Sequence, residues 1–219
     1  MEGIKVGMDM FDFVLFDYDG TLLDSTAITY ESFKEAFAEL GYGDLGLEFF
    51  RREFSMNHHE MYRKMGVRKE DVKKVEDIWW GYWDVMKGDI QLFPETAPAL
   101  EKLHSLGVGI GLVSDGKGSR IRGDLEKFNI KKYFSVVVAR EDANENKPSP
   151  KSLRIALERI KKNGSECIYV GDRVEDIHAG RAAGVVTGCV CNGIHRLNWL
   201  LKEEPDFVFR DVSGVVDIF

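Results

Sequence analysis

Short apolar runs punctuate this chain around 13–18, 108–113, 134–138, 167–170, 185–190 and 206–209, most of them closing on a small or polar residue. Runs of that length bounded by turn signals are the pattern of strands buried in a parallel sheet. Between the later runs the apolar positions take helical spacing. Helices are predicted from about 94 to 106, where Pro94 and Pro98 bracket the start and Gly107 follows the end, then at 118–128, 151–162 and 174–183, the last closed by Gly184. A short helix near 195–202 and a helical tail are expected, with a polar loop at 139–150 and a frayed lead-in at 1–12. Strands alternating with helices specify an α/β fold with a mostly parallel sheet covered on both faces.

The stretch from 24 to 88 follows a different pattern. Asp24-Ser25 offers a helix cap, and Ile28, Phe33, Phe37 and Leu40 recur at near-helical spacing before Gly41. Further helices are predicted at 46–54, 57–65 and 69–87, punctuated by Gly41, Gly43, Gly46 and Gly66. The last carries Val72, Val75, Ile78, Trp79, Tyr82, Trp83 and Met86 as a wide apolar stripe, which reads as packed helical core rather than a cofactor box. No strand is predicted here. The chain therefore divides into an α/β domain, 1–23 plus 89–219, and an all-helical insertion, 24–88.

Composition narrows the classes. With 219 residues, 44% hydrophobic and 31% charged, the chain can build one full core and a small accessory domain. A net charge of −7 argues against a general nucleic-acid binder while leaving room for small phosphorylated substrates. Cys167, Cys189 and Cys191 are an odd set, which does not suggest a disulfide framework. The last two are read as half-buried strand residues on one face, because His195 alone is thin support for a metal site. No run reaches the length of a membrane span and the first residues lack a signal core, so a soluble, cytoplasmic protein is expected, with no membrane partner.

The chemistry gathers at the ends of the predicted strands. Asp17 and Asp19 follow the first, and Gly20 next to them lets backbone approach a ligand; such a pair suits Mg²⁺ and phosphate. Ser114-Asp115-Gly116 follows the second, where a hydroxyl and turn N–H groups can hold phosphoryl oxygens. Lys147 lies beside Pro148 and Pro150 in the polar loop, and a fixed ammonium there can neutralise a phosphate. Asp172 and Asp176 lie four apart after the fourth, on one side of a helix's first turn. Singly, each set reads equally well as a helix cap or a solvated surface group. Their shared placement at four sites is what carries the chemistry.

Asp17-x-Asp19-Gly20-Thr21, Ser114, Lys147-Pro148 and Gly171-Asp172-x-x-x-Asp176 together resemble the haloacid dehalogenase (HAD) superfamily, most closely its phosphoglycolate phosphatase and β-phosphoglucomutase branch. The resemblance covers nearly the whole chain. It implies a Rossmann-like core with a helical cap inserted after the first strand. It further implies that Asp17 is the nucleophile and forms an aspartyl-phosphate, and that Asp19 is the general acid and base. Thr21, Ser114, Asp115, Gly116 and Lys147 would bind the phosphoryl group. Mg²⁺ would sit between Asp17, the Asp19 backbone carbonyl and Asp172, with Asp176 holding its waters or Lys147.

True dehalogenases of the superfamily usually lack an acid at the position of Asp19, so its presence favours phosphate chemistry. Asp115 departs from the Asn common in this branch and sets a negative charge beside the phosphate. The cap is expected to choose the substrate, with Arg51, Arg52, His58, His59, Arg63 and Lys64 as candidate contacts. The reading is a Mg²⁺-dependent phosphatase for a small phosphorylated metabolite, monomeric or homodimeric. The alternatives are a phosphosugar mutase and a non-enzymatic phospho-acceptor domain of the receiver kind.

Overall fold

The computed structural model describes residues 11–54 and 58–219, the side chains of His58 and His59 excepted, so the expected lead-in lies outside the described residues but for its last two. The chain forms two compact units: the segment ending at Leu23 together with Leu92–Phe219, and Asp24–Gln91. The helical unit runs three residues past the predicted boundary at 88. The Asp24 N–H donates to the Gln91 carbonyl (3.0 Å), which ties its two ends together.

Among the described residues four α-helices build the helical unit: α1 (Thr26–Glu39), α2 (Leu47–Glu53), α3 (His58–Lys64) and α4 (Val72–Met86). The expected Asp24-Ser25 cap is not made by a side chain. Ser25 occupies the cap position, and its carbonyl accepts from the Thr29 hydroxyl (2.7 Å). On α4, Val75, Trp79 and Trp83 are buried at successive i, i+4 positions. Trp79 stacks on Phe33 of α1 with ring centroids 4.2 Å apart, and Phe33 also packs against Phe50 of α2 (5.4 Å). This core is aromatic rather than branched aliphatic.

The α/β unit holds β1 (Phe13–Phe16), β2 (Gly109–Val113), β3 (Val136–Val138), β4 (Cys167–Gly171), β5 (Val186–Val190) and β6 (Phe207–Phe209). They pair in the order β3-β2-β1-β4-β5-β6, every pair parallel. Its helices are α5 (Thr96–Ser105), α6 (Gly118–Lys127), α7 (Arg140–Ala143), α8 (Lys151–Ile160), α9 (Val174–Ala183) and α10 (Leu197–Leu200). α7 is a single turn inside what the sequence reads as loop, started by the Asp142 carboxylate accepting from the Ala139 N–H (2.9 Å). Leu153, Ala156 and Leu157 of α8 and Ala179 of α9 pack with Phe13, Leu15, Val136, Val138 and Tyr169 on one sheet face.

β1 is buried throughout because it is the middle of the sheet. From it the chain steps outward through β2 to β3, then returns to the other flank of β1 as β4. The order therefore reverses between β1 and β4, which opens a crevice at their carboxyl ends.

Candidate active site

Asp17 stands at that crevice. Its N–H donates to the Val170 carbonyl (2.9 Å), one step past the last β1 residue, so the parallel ladder fixes where its side chain leaves the sheet. Lys147 meets it there. The ammonium donates to Asp17 Oδ1 (2.8 Å), Asp176 Oδ1 (2.6 Å) and the Tyr169 hydroxyl (2.8 Å). An ammonium has three donors, and all three are in use. Asp176 lies in the first turn of α9, where its Oδ2 accepts from the N–H groups of Asp172 and Arg173 (3.2 and 3.0 Å). That arrangement satisfies helix-end donors and sets the charge at the positive end of the helix.

Asp172 is braced from two sides, by the Thr21 hydroxyl on Oδ1 (3.3 Å) and the Ile194 N–H on Oδ2 (2.7 Å). Thr21, expected at the phosphoryl group, thus directs its hydroxyl at Asp172. A Cβ on Gly20 or on Gly193 would collide with the Asp172 carboxylate, and Gly20 also has φ +79°. Glycine is required at both for backbone to come so close. Ser114 Oγ accepts from the Gly116 N–H (3.1 Å), which keeps the hydroxyl hydrogen free to donate. Asp19 turns aside from these groups. Its carboxylate takes both ends of Arg120 from α6, Oδ1 from Nη1 at 3.1 Å and Oδ2 from Nη2.

The buried charges do not balance. With all four acids ionised, Asp17, Asp115, Asp172 and Asp176 face Lys147 and Arg173, an excess of two negative charges. Burial pushes the carboxyl groups of Asp17 and Asp172 up; Lys147 opposes it at Asp17, and the charge of Asp176 adds to it at Asp172. Burial works against the charge on Lys147 too, but Asp17 and Asp176 outweigh it and hold the ammonium protonated. At Asp176 burial is outweighed by Lys147 and then Arg173, so its carboxyl is held below the usual range.

A divalent cation fits this deficit. Oxygens of Asp17, Asp172 and Asp176 all lie within 4.8 Å of one another. Asp176 accepts two donors at each oxygen, whereas Asp172 accepts one at each and Asp17 one in all, so Asp17 and Asp172 are the pair with room for the ion. Hard carboxylate oxygens suit Mg²⁺ and similar cations.

The profile of the haloacid dehalogenase-like hydrolases matches residues 14–190, which spans both units. The chain belongs to that family. This HAD hydrolase is 25% identical over 209 residues to pyrophosphatase PpaX of Oceanobacillus iheyensis, covering 94% of this chain and 95% of that protein. It is 31% identical over 145 residues to phosphoglycolate phosphatase of Salmonella paratyphi A, covering 66% of this chain and 57% of that one. The solved structure of a haloacid dehalogenase-like hydrolase from Bacteroides fragilis superimposes with a TM-score of 0.85 at 25% identity, over 94% of this chain and 99% of that one. The hydrolase is an enzyme of the phosphatase kind, and the receiver-like alternative falls with that membership.

Three residues of the HAD hydrolase's site were not singled out from the sequence. Tyr169 is visible only once β4 is known to send alternate side chains to one face, where its hydroxyl meets Lys147. Arg120 is separated from Asp19 by 101 positions, and its one local sign is Asp124 a turn later (3.4 Å). Arg173 lies within the acidic motif and faces Asp115, Nη2 to Oδ2 at 3.4 Å. Asp115 also accepts the Lys147 N–H at both oxygens (3.2 Å each), so it ties the Lys147 loop to the end of β2.

The other candidates belong to the helical unit, to the β5 end or to the residues outside those described. Arg51 is half-buried and Arg63 exposed, while Arg52 and Lys64 both reach Glu53 (2.9 and 3.4 Å). The side chains of His58 and His59 are outside the described residues. Cys167 and Cys189 are buried; Cys191 lies past the end of β5 and is half-buried, so the two are not a strand pair. Among the described residues no helix is long and apolar enough to cross a membrane.

Proposed function

We propose that this HAD hydrolase is a Mg²⁺-dependent phosphatase that acts on a small phosphorylated metabolite through an aspartyl-phosphate at Asp17. The observation that carries the proposal is the state of the Asp17 carboxylate. It is buried, one oxygen is fixed by Lys147, and the other has no hydrogen-bond partner among the described residues. A carboxylate held in that way is aimed, and its charge is partly offset before a phosphate arrives.

In the proposed reaction the free oxygen of Asp17 attacks phosphorus as the bond to the leaving oxygen breaks. Ser114 and the Asp115 N–H receive the phosphoryl oxygens, and the Gly116 N–H, which rests on Ser114 Oγ, turns to them only by giving up that contact. Asp19 delivers a proton to the leaving oxygen, then removes one from a water whose oxygen attacks the aspartyl-phosphate and frees inorganic phosphate. Both Asp19 oxygens are engaged by Arg120, so Asp19 gives up one of those contacts to serve. Asp17, Asp172 and the Asp19 carbonyl would hold Mg²⁺, which would supply positive charge to offset the repulsion between carboxylate and phosphate. The relatives are phosphatases by name, which favours transfer to water over return of the phosphoryl group to a sugar.

The test is release of inorganic phosphate from sugar phosphates, phosphoglycolate, nucleotides and pyrophosphate, with Asp17→Asn as the blank. Hydrolysis of at least one is expected, silenced by EDTA, restored by Mg²⁺ and absent in the blank. Unchanged turnover in Asp17→Asn would remove the nucleophile from the account, and full activity in chelator would remove the metal.

A further inference from the structure

Asp115 and Arg173 are both buried, and neither is explained by the chemistry above. Asp115 follows β2 and Arg173 follows β4, the two strands that flank β1. Neighbouring strands lie about 4.8 Å apart, so the ends of β2 and β4 are separated by roughly 10 Å across β1. The 3.4 Å contact between the two side chains closes that gap across β1, the strand that Asp17 follows. Arg173 uses Nη2 in that contact. Its Nη1 is also buried and has no hydrogen-bond partner among the described residues. A buried guanidinium donor left unpaired is costly, and such a donor calls for an acceptor.

We propose that Arg173 is a phosphoryl-binding residue of this site, with Nη2 cancelling the charge of Asp115 and Nη1 donating to an oxygen of the bound phosphoryl group. The proposal rests on the phosphatase reading. It also accounts for Asp115. A carboxylate next to a phosphate dianion repels it unless a cation is fixed between them. With Arg173 in that place the acid tethers the Lys147 loop through the Lys147 N–H without expelling substrate. Arginine suits this dual contact because its planar fork presents several donors in fixed directions.

The experiment measures the dissociation constant of inorganic phosphate by calorimetry on the Mg²⁺-loaded full chain, with KM and kcat for 4-nitrophenyl phosphate alongside. Arg173→Gln is expected to weaken phosphate binding by roughly 10- to 100-fold and to raise KM in step, with an unchanged circular dichroism spectrum. Asp115→Asn keeps an acceptor for the Lys147 N–H and removes the negative charge, so it binds phosphate several-fold more tightly. In the Arg173→Gln background Asp115→Asn tightens phosphate binding by a larger factor than it does alone, because the two residues act as a pair.

Native phosphate affinity in Arg173→Gln overturns the proposal, as does a strictly additive double variant. Should Arg173→Gln not fold, Asp115→Asn decides alone: tighter phosphate binding supports the proposal, and equal or weaker binding overturns it. If the unaltered protein neither binds phosphate nor hydrolyses any monoester, the phosphatase reading fails and takes this inference with it. If it does both and Arg173→Gln does so equally well, only the inference fails.

Discussion

The two units bury charge in opposite ways. In the α/β unit Asp17, Asp115, Lys147, Asp172, Arg173 and Asp176 are all buried, and their partners are buried with them. In the helical unit Asp71 is the one buried charged residue among those described. Its carboxylate is gripped by Lys74 (2.9 Å), Tyr42 (2.8 Å) and Arg68 (2.7 Å). The two cations remain 63% and 66% exposed, so Asp71 reaches water through them. Lys74 and Tyr42 hold its carboxyl down to about 2, whereas burial drives that of Asp17 up to about 8 against the pull of Lys147. A buried acid is therefore not a mark of chemistry by itself. What distinguishes the site is an acid whose whole surroundings are withdrawn from solvent and whose charge is left over.

That contrast can be broken in order of size. Lys147→Met should abolish turnover and lower the unfolding free energy by about 3–5 kcal/mol, because it strands Asp17 and Asp176 without their cation. Urea titration reads the second effect; a loss as small as that of a surface lysine would mean that the site is more solvated than its burial implies. Phe33→Ala should cost about 3–5 kcal/mol by emptying the aromatic core of the helical unit. Phosphate binding measured below the unfolding transition should survive it, and loss of binding in step would show that the units do not hold their structures separately.

Asp19→Asn should slow hydrolysis of an alkyl phosphate by on the order of 10²–10⁴ while affecting 4-nitrophenyl phosphate far less, since a good leaving group needs little protonation. Equal losses on both esters would move the proton transfer that limits turnover from the leaving oxygen to the water, a step the two esters share. Removing metal gives a smaller, pH-dependent effect. The carboxyls of Asp17 and Asp172 rise from their ordinary 3.8 to about 8 and about 7, so between those limits the folded state binds more protons than the unfolded chain. Stability of the metal-free protein then falls as pH rises through that window. Asp176, held low, and Lys147, held high, keep their charge throughout it. Thermal melts should show a lower Tm at pH 8 than at pH 6 in EDTA, and a larger gain from Mg²⁺ at pH 8. A Tm that rises with pH in EDTA would contradict this. Lys74→Met, in the helical unit, should leave the melting curve unresolved from the parent, as exposed ion pairs contribute little.

The strands were legible because a buried parallel strand is one continuous apolar run, and the site acids because they interrupt such runs at their ends. Boundaries were less so. β1 was expected to reach 18 but stops at Phe16, since the Tyr18 carbonyl accepts from both Leu22 and Leu23 (3.0 and 2.9 Å) and folds the chain into a turn. α7 escaped because four residues are too few to show a period. The partners of the acids escaped for another reason. Arg120 and Asp19, or Arg173 and Asp115, meet only because the strand order brings distant segments to one edge of the sheet. No local pattern records which cation will face which acid.

Lys147 carries a consequence for handling the protein. Its side chain has no exposure at all, and its ammonium is held charged by two carboxylates. Amine-directed reagents attack only a neutral, reachable nitrogen, so they should couple to Lys73, whose side chain is 82% exposed, and pass over Lys147. Attachment to a solid support through its lysines should therefore leave the charged centre of the sheet chemically untouched.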